Sequence, residues 1–238
     1  MIKIATILPY KENYTFKKAA AASLWVCDFF KYSKFKNNNF IFGNTISKDY
    51  LTKNYINIKV ENINSKFSSS TAKYSVNLIT KLKKMNFDIV EIHNRPLVFN
   101  YLKKEINSKF ILYFHNDPIS MKGSKSKKER MNLLNNVNKI IFVSNWVQKR
   151  FFHDLDQNLI VKTDVVYPSI DKPKKIFKKE KKIVFVGKLN KSKGYDIYGD
   201  AITKILDNFP DWKAYSIGDE NRNKPIILHK NHYDLGYL

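Results

Sequence analysis

The strongest constraint on the fold is a repeated alternation of short apolar runs with segments of helical periodicity. Several runs are continuously apolar, as expected for strands that are covered on both faces. Strands that alternate with helices predict a parallel sheet with right-handed crossovers. The predicted strands are 2–8, 39–43, 56–60, 87–93, 110–115, 139–144 and 164–168, and the predicted helices are 17–35, 69–85, 95–106, 127–137 and 145–153. Residues 1–171 are therefore predicted to form a Rossmann-like domain.

The same alternation restarts after a charged, proline-bearing segment. Residues 172–182 are predicted to be a linker. A strand at 183–187, a helix at 194–208 and a strand at 212–217 follow, and the final LGYL lies in what is predicted to be a further strand. Because an independent α/β domain usually needs about 100 residues, residues 183–238 are predicted to be an incomplete second domain.

The composition of the chain indicates a folded protein of a reducing compartment. Hydrophobic residues make up 43% of the chain and aromatic residues 14%, which is enough for a substantial core. A single cysteine excludes a disulfide framework and a cysteine-rich zinc site, and it fits a reducing cytoplasm. No signal peptide is predicted, and no segment approaches the roughly 18 apolar residues of a membrane span. A cytoplasmic protein is expected, with peripheral attachment to the inner membrane face as an option.

The chain is strongly basic, with 43 Lys and Arg against 21 Asp and Glu and a net charge of +22. Such an excess favours anionic partners: nucleic acid, anionic lipid or phosphorylated small molecules. The lysines are spread along the chain, so background charge is the competing interpretation. Segment 17–36 is a candidate membrane-binding face because lysines flank Trp25, Phe29 and Phe30; the alternative is a helix that packs on the core. The lysines in question are Lys17, Lys18, Lys31 and Lys34.

Polar side chains follow the predicted strands, at the carboxyl edge where open parallel sheets bind ligands. These are Lys11, Glu12 and Asn13, then His93, Asn94 and Arg95, then His115, Asn116 and Asp117, and finally Ser144 and Asn145. Strand ends are often polar simply because water reaches them. His93 and His115 are the exceptions, since each ends an apolar strand and precedes an asparagine. Imidazole is the side chain best suited to proton transfer near neutral pH.

The stretch 187-GKLNKSKG-194 combines glycine with lysine at the start of the second unit. Five of the seven glycines lie beyond residue 182, which indicates placement for backbone reasons. Gly187 allows close approach of a ligand, and the helix that begins near Gly194 offers free N–H groups. Lys188 and Lys193 add positive charge, so a diphosphate is the predicted ligand. The alternative is an ordinary turn with surface lysines.

Several common motifs are absent from the sequence. No helical His-x-x-His or His-Glu-x-x-His spacing predicts a metal site. The serine-nucleophile motif G-x-S-x-G, the Walker loop and the dinucleotide fingerprint G-x-G-x-x-G are also missing. No motif for DNA or RNA binding is present, so no specific nucleic-acid partner is predicted.

Taken together, these segments resemble GT-B glycosyltransferases, specifically those of glycosyltransferase family 4. The resemblance runs along nearly the whole chain, and the most specific parts are VGKLNKSKG (186–194) and FPDWKAYSIGD (209–219). The other segments are 9–24, 88–96, 111–118, 139–151 and 165–171. The resemblance implies a GT-B-like α/β fold with a complete N-terminal Rossmann-like domain at 1–171 and the first part of a second Rossmann-like domain at 183–238.

The resemblance also implies roles. The first domain would hold a glycan or lipid-linked acceptor, and the second would hold a nucleotide sugar. Lys188 and Lys193, with Gly187 and Gly194, would bind the donor diphosphate, His115 would lie near the transferred sugar, and Glu12 and Asn13 would line a loop over the donor phosphates. The loop lacks the glycine pair of many relatives and has Ala19 to Ala22 instead. No metal would be needed, and retention of configuration is implied.

The implied function is transfer of a hexosyl group in cell-surface polysaccharide or lipopolysaccharide synthesis. The chain ends before the paired acidic residues and the last helix of this family, so a fragment of a longer protein, or a truncated inactive form, is expected. The alternative function is a non-catalytic basic protein that binds nucleic acid or an anionic membrane.

Overall fold

The computed structural model describes residues 1–60, 69–172, 175, 177–219 and 224–238. It divides the chain into two compact units, Met1–Asp171 and Lys172–Leu238. The predicted linker 172–182 lies in part outside the described residues, since 173, 174 and 176 are not among them.

The first unit is built on a seven-stranded parallel sheet in the order β3-β2-β1-β4-β5-β6-β7. Its strands are β1 (Ile4–Ile7), β2 (Asn39–Gly43), β3 (Tyr55–Asn57), β4 (Ile89–His93), β5 (Lys109–Phe114), β6 (Lys139–Phe142) and β7 (Thr163–Val165). Its helices are α1 (Ala21–Tyr32), α2 (Ser70–Met85), α3 (Pro96–Leu102), α4 (Lys127–Asn136) and α5 (Asn145–Phe151). The strand order reverses between β1 and β4, and such switch points are where open sheets bind ligands.

The core of this unit lies on the side of the sheet covered by α2 to α5. Phe42, Val90, Leu112 and Phe142 point from neighbouring strands into one continuous apolar cluster and are almost completely buried. A second, smaller cluster packs α1 against β1 and β2 through Trp25, among others. The predicted α/β architecture is therefore confirmed, with the helices distributed over both faces.

Helix α1 is shorter than the predicted helix 17–35. Before it, the Thr15 hydroxyl accepts a hydrogen bond from the Lys18 N–H at 3.3 Å, and Asn13 forms a bridge with Ala19. After it, the Ser33 hydroxyl accepts a bond from the Phe35 N–H. These local bonds replace the helical ones at each end, so the helix covers only Ala21–Tyr32.

Two further details of the predicted pattern are wrong. The spacing of Val76, Leu78, Ile79 and Leu82 in segment 69–85 predicts one apolar face that includes all four. Val76 is instead 49% exposed, because it lies on the side of α2 opposite Leu78. The face that packs inward is formed by Tyr74, Leu78 and Leu82. The final LGYL segment is not a strand; the strand there ends earlier, at Asp234.

The second unit is a three-stranded parallel sheet in the order β10-β9-β8, with one long helix. The strands are β8 (Lys182–Val186), β9 (Lys213–Ile217) and β10 (His232–Asp234), and the helix is α6 (Tyr195–Asn208). Ile202 and Leu206 of α6 pack on Ala214 of β9 to form a small core.

Candidate functional site

The carboxyl ends of β4 and β5 join His93, Asn94 and His115 in one hydrogen-bonded group. His93 Nδ1 and His115 Nε2 are 2.8 Å apart. The Asn94 side-chain oxygen accepts a bond from the His115 N–H at 2.8 Å, and the Asn94 N–H donates to the Tyr113 carbonyl. Asn94 has a φ of 51°, a left-handed conformation that asparagine tolerates better than most residues. Asn94 therefore links the two strand ends and sets the direction of the histidine pair.

Trp25 of α1 covers the histidine pair from one side. Its ring lies edge-on to His93 and His115, with centroids 5.6 and 5.1 Å away. His93 also stacks on Tyr113, with the rings 4.4 Å apart. These aromatic contacts shield the pair from water. They could not be predicted from the sequence, because Trp25 and His115 are far apart in the chain.

The hydrogen-bond pattern favours one tautomer of each ring. His93 Nε2 is buried with no partner among the described residues. A buried N–H without an acceptor is rarer than an acceptor without a donor, so the favoured arrangement leaves Nε2 of His93 without a proton. His93 Nδ1–H then donates to Nε2 of His115, and His115 carries its own proton on Nδ1. His115 can thus offer a donor to a ligand while remaining neutral.

Burial keeps both rings uncharged. It lowers the pKa of His115 to about 4. It also lowers the pKa of His93 well below the usual range, and the neighbouring His115 lowers it further. At neutral pH the pair is therefore a hydrogen-bonding device and carries no charge.

Glu12 and Arg95 are charged groups on the two sides of the switch point, one after β1 and one after β4. Burial raises the pKa of the Glu12 carboxyl, and the positive charge of Arg95 opposes that rise. Glu12 Oε2 is buried without a hydrogen-bond partner in the described part of the chain. Arg95 lies 5.8 Å from the ring centre of Tyr10 and donates to the Asn94 carbonyl. Asn13, the other candidate in this loop, is half-buried and forms the bridge to Ala19.

Two of the remaining candidates of the first unit, Asp117 and Ser144, stabilise its fold. Asp117 caps a 3₁₀ turn at Pro118–Ser120 and pairs with Arg150 at 3.0 Å. Ser144 caps α5 by accepting a bond from the Val147 N–H. The side chains of Asp117 and Ser144 are thus already used within the fold. Asn145 and Asn116 are exposed at the same edge, and the Asn145 N–H contacts the Tyr167 hydroxyl.

The glycine–lysine turn of the second unit is a tight βα connection. Gly187 ends β8 with a φ of 150°, and Gly194 caps α6 with a φ of 74°. Between them, Leu189 is fully buried and anchors the turn. Lys188 and Lys193 are both exposed. The Tyr195 N–H bonds to the Asn190 carbonyl. No side chain caps α6, so the next N–H groups, those of Asp196 and Ile197, are the ones offered to an anion.

The structure reveals one essential glycine that the motif did not include. Gly218 follows β9 with a φ of 148°, directly beside Gly187. A Cβ at Gly218 would lie 1.8 Å from the Gly187 carbonyl oxygen. The shape of the turn therefore depends on two glycines that are distant in sequence.

The second unit also contains a chain of hydrogen-bonded polar side chains that the sequence does not predict. The Tyr195 hydroxyl donates to Ser216 Oγ at 3.0 Å, and Ser216 Oγ lies 2.8 Å from His232 Nε2. Tyr195 is the first residue of α6, and the other two belong to β9 and β10. The chain ties the start of the helix to the sheet, and nothing local in the sequence predicts it.

Replacing Gly218 by alanine is expected to disrupt this turn. The new methyl group cannot fit against the Gly187 carbonyl, and the φ of 148° is strained for any other residue. We expect a loss of about 2 kcal/mol or more in the stability of the second unit. Chemical denaturation followed by tryptophan fluorescence would measure it. Gly236→Ala is the matched control, because its Cβ would meet no atom within 4 Å; equal losses in both variants would contradict the close-approach argument.

The 17–36 segment is only partly the amphipathic face that was expected. Trp25 is buried, with 8% exposed, whereas Phe29 is 39% exposed. Lys31 pairs with Asp28 at 3.0 Å, and the Lys34 ammonium lies over the Phe35 ring. The core-packing interpretation therefore holds for Trp25. Within the described residues, no helix is long and apolar enough to span a membrane, and no cluster of three or more His, Cys, Asp or Glu could hold a metal ion.

Comparison with solved structures matches the entire chain. Anabaena HepE in complex with UDP-glucose has a TM-score of 0.68 at 12% sequence identity, with 100% of this chain and 70% of that one covered. Sucrose-phosphate synthase from Thermosynechococcus elongatus has a TM-score of 0.68 at 12% sequence identity, with 100% of this chain and 71% of that one covered. The lipopolysaccharide outer core galactosyltransferase WaaB has a TM-score of 0.62 at 17% sequence identity, with 100% of this chain and 68% of that one covered. The chain has the GT-B fold. The predicted fold class is thereby confirmed; at these identities the similarity concerns the fold alone.

Sequence comparison points in the same direction. The Bacillus subtilis (strain 168) protein YtcC, which bears the name of a glycosyltransferase, is 28% identical over 151 residues. That match covers 55% of this chain and 37% of YtcC, so the chain spans little more than a third of that relative. No protein-family model matches the chain.

Proposed function

We propose that the chain is the acceptor-side domain and the beginning of the donor-side domain of a glycosyltransferase that uses a nucleotide sugar. The observation that carries the proposal is the GT-B fold over the full chain, with ionisable groups at the carboxyl edges of both sheets. HepE, with the same fold, was crystallised with UDP-glucose and with UDP. The non-catalytic alternative, a basic binder of nucleic acid or membrane, is not favoured by these comparisons.

Within this proposal, the second unit would hold the donor diphosphate. Lys188 and Lys193 would supply charge that stabilises the departing nucleotide. The N–H groups of Asp196 and Ile197, in the first turn of α6, would add hydrogen bonds. Lysine in place of a metal ion would suffice for such a leaving group, so no metal is proposed.

The first unit would hold the acceptor and the transferred sugar. His115, neutral and with its proton on Nδ1, is proposed to donate a hydrogen bond to a sugar hydroxyl. His93 would act on His115 as a positioning residue, and Arg95 and Glu12 would contact polar groups of the substrates. The further elements of the proposal are a hexosyl donor, retention of configuration and a glycan or lipid-linked acceptor. A cytoplasmic site of action at an anionic inner membrane face also belongs to it, and WaaB, named for lipopolysaccharide synthesis, supports a surface-glycan role.

The proposal is tested by incubating the purified chain with UDP-, GDP- and ADP-sugars and measuring nucleotide release and nucleotide binding. We expect saturable binding of at least one nucleoside diphosphate, with competition by inorganic pyrophosphate and loss in a Lys188→Ala, Lys193→Ala double variant. The matched control is Lys191→Ala, from the same turn. Neither turnover nor diphosphate binding with any donor would contradict the proposal.

A further inference from the structure

A cavity of about 280 Å³ lies in the first unit, under α1 and beside the open face of β4 and β5. It is separate from the carboxyl edge, although His93 and Trp25 border both. Aromatic rings form much of its wall, and the carboxyl group of Glu91 projects from the middle of β4 into it. The aromatic lining residues are Trp25, Phe29, Phe30, Phe35 and Tyr113. The volume is just below the usual range for ligand pockets, about 300–1,000 Å³.

Glu91 is the unusual group of this cavity. An isolated carboxylate in apolar surroundings is costly unless it is paired. Glu91 Oε2 lies 2.7 Å from the Thr6 hydroxyl, and Glu91 Oε1 accepts a 3.3 Å bond from the Tyr113 hydroxyl. The residues described as lining the cavity include no Lys and no Arg, and the titratable groups among them besides Glu91 are His93 and Tyr113. Glu91 thus has neutral hydrogen-bond donors but no cation.

The hydrogen bonds of the Thr6 hydroxyl bear on whether Glu91 carries a proton in the empty cavity. The Thr6 hydroxyl lies within hydrogen-bond distance of both Glu91 Oε2 and the Asn39 side-chain oxygen, at 2.7 and 3.0 Å. One hydroxyl has one hydrogen, so it cannot donate to both. Both contacts are satisfied when Glu91 carries a proton and donates to Thr6, which donates to Asn39. They are also satisfied when the Asn39 amide is turned so that its NH2 group donates to Thr6, which then donates to an ionised Glu91. Burial raises the pKa of the Glu91 carboxyl, which is consistent with the protonated state.

We propose that this cavity is a binding site for a primary organic ammonium, whose charge pairs with Glu91 while its carbon skeleton packs on the aromatic wall. An ammonium group donates three hydrogen bonds, and a carboxylate with free lone pairs accepts them. Aromatic faces attract the same charge. The ligand replaces the proton of Glu91 as the balancing charge. The site shares only His93 and Trp25 with the residues discussed for the transferase proposal, and Glu91 itself has no role in that proposal.

The test compares two probes of nearly equal shape, benzylammonium and benzyl alcohol, by isothermal titration calorimetry on the 238-residue chain. We expect benzylammonium to bind saturably and at least ten times more tightly than benzyl alcohol. Glu91→Gln, which keeps the shape but removes the charge, should weaken benzylammonium at least tenfold and leave benzyl alcohol unchanged. Asp28→Asn is the matched control, because this carboxylate on the exposed side of α1 pairs with Lys31 outside the cavity.

A second measurement needs no variant. Benzylammonium remains charged between pH 4 and 7, whereas Glu91 must lose its proton to pair with it, so affinity should fall as the pH is lowered from 7 to 4. Benzyl alcohol should show no such change. Equal affinities for the two probes, no saturable binding of benzylammonium, or pH-independent binding would each overturn the proposal.

Discussion

Lys193→Ala is expected to lower sugar transfer about a hundredfold, because the proposed role of this lysine is to neutralise charge that grows as the nucleotide leaves. Lys193 is exposed in the turn before α6, and its backbone N–H bonds to the Asn190 carbonyl. The side chain therefore contributes little to folding, and the loss should appear in turnover rather than in stability. The measurement is kcat/KM for nucleotide release with the donor that binds best.

Two variants of the same turn serve as controls for this loss. Lys193→Arg retains the charge and should keep most of the activity. Lys191→Ala removes an equally exposed lysine two residues away and should change the rate less than about threefold, the effect of a surface charge. Near-normal turnover in Lys193→Ala, or equal losses in Lys191→Ala and Lys193→Ala, would show that the turn carries only general positive charge.

His115→Ala is expected to reduce kcat about a hundredfold, which is the usual contribution of a positioned donor or proton-transfer group. His93→Gln removes the partner of His115 and should give a smaller loss, with rescue in part because glutamine can still donate a hydrogen bond. The matched control is His153→Ala, since His153 is an exposed histidine that pairs with Asp154. A His115→Ala variant as active as His153→Ala would exclude His115 from the reaction.

The titration of His115 should make the free energy of unfolding depend on pH, but it should not change the transfer rate near neutral pH. The pKa of His115 is about 4 in the folded chain against an ordinary value of 6.5. The unfolded chain therefore binds the proton first, and the free energy of unfolding falls as the pH drops from 6.5 towards 4, by up to about 3 kcal/mol. Urea denaturation at several pH values measures this. His115→Gln should reduce the slope without abolishing it, because the pKa of His93 is lowered too; an unchanged slope would contradict the buried neutral pair.

The architecture was predictable because the period of the apolar pattern differs between strands and helices, so the strands of the parallel sheet could be located from local sequence. Element ends were less certain, since they depend on side chains such as Thr15 and Ser33 that compete for backbone hydrogen bonds. Val76 was misplaced because valine is hydrophobic wherever it lies, and only the helix phase decides its face.

The candidate site divides in the same way. Residue types at strand ends pointed to His93, His115 and the glycine–lysine turn, because chemistry-bearing side chains there are visible one strand at a time. Asp117 and Ser144 have the same position in the pattern, yet their side chains cap helical turns. Sequence spacing cannot distinguish a capping side chain from a ligand-binding one, since the same residue types serve both roles.

The sequence by itself determined the class of fold, the position of the second unit and the residue types at each strand end. Tertiary structure alone decided which of those residues meet. It placed His93 2.8 Å from His115, set Trp25 over both, brought Gly218 against Gly187 and left Glu91 facing an aromatic cavity. The physical reason is that periodicity is a local property of the chain. Burial, proton positions and close backbone approach depend on partners that are far away in sequence.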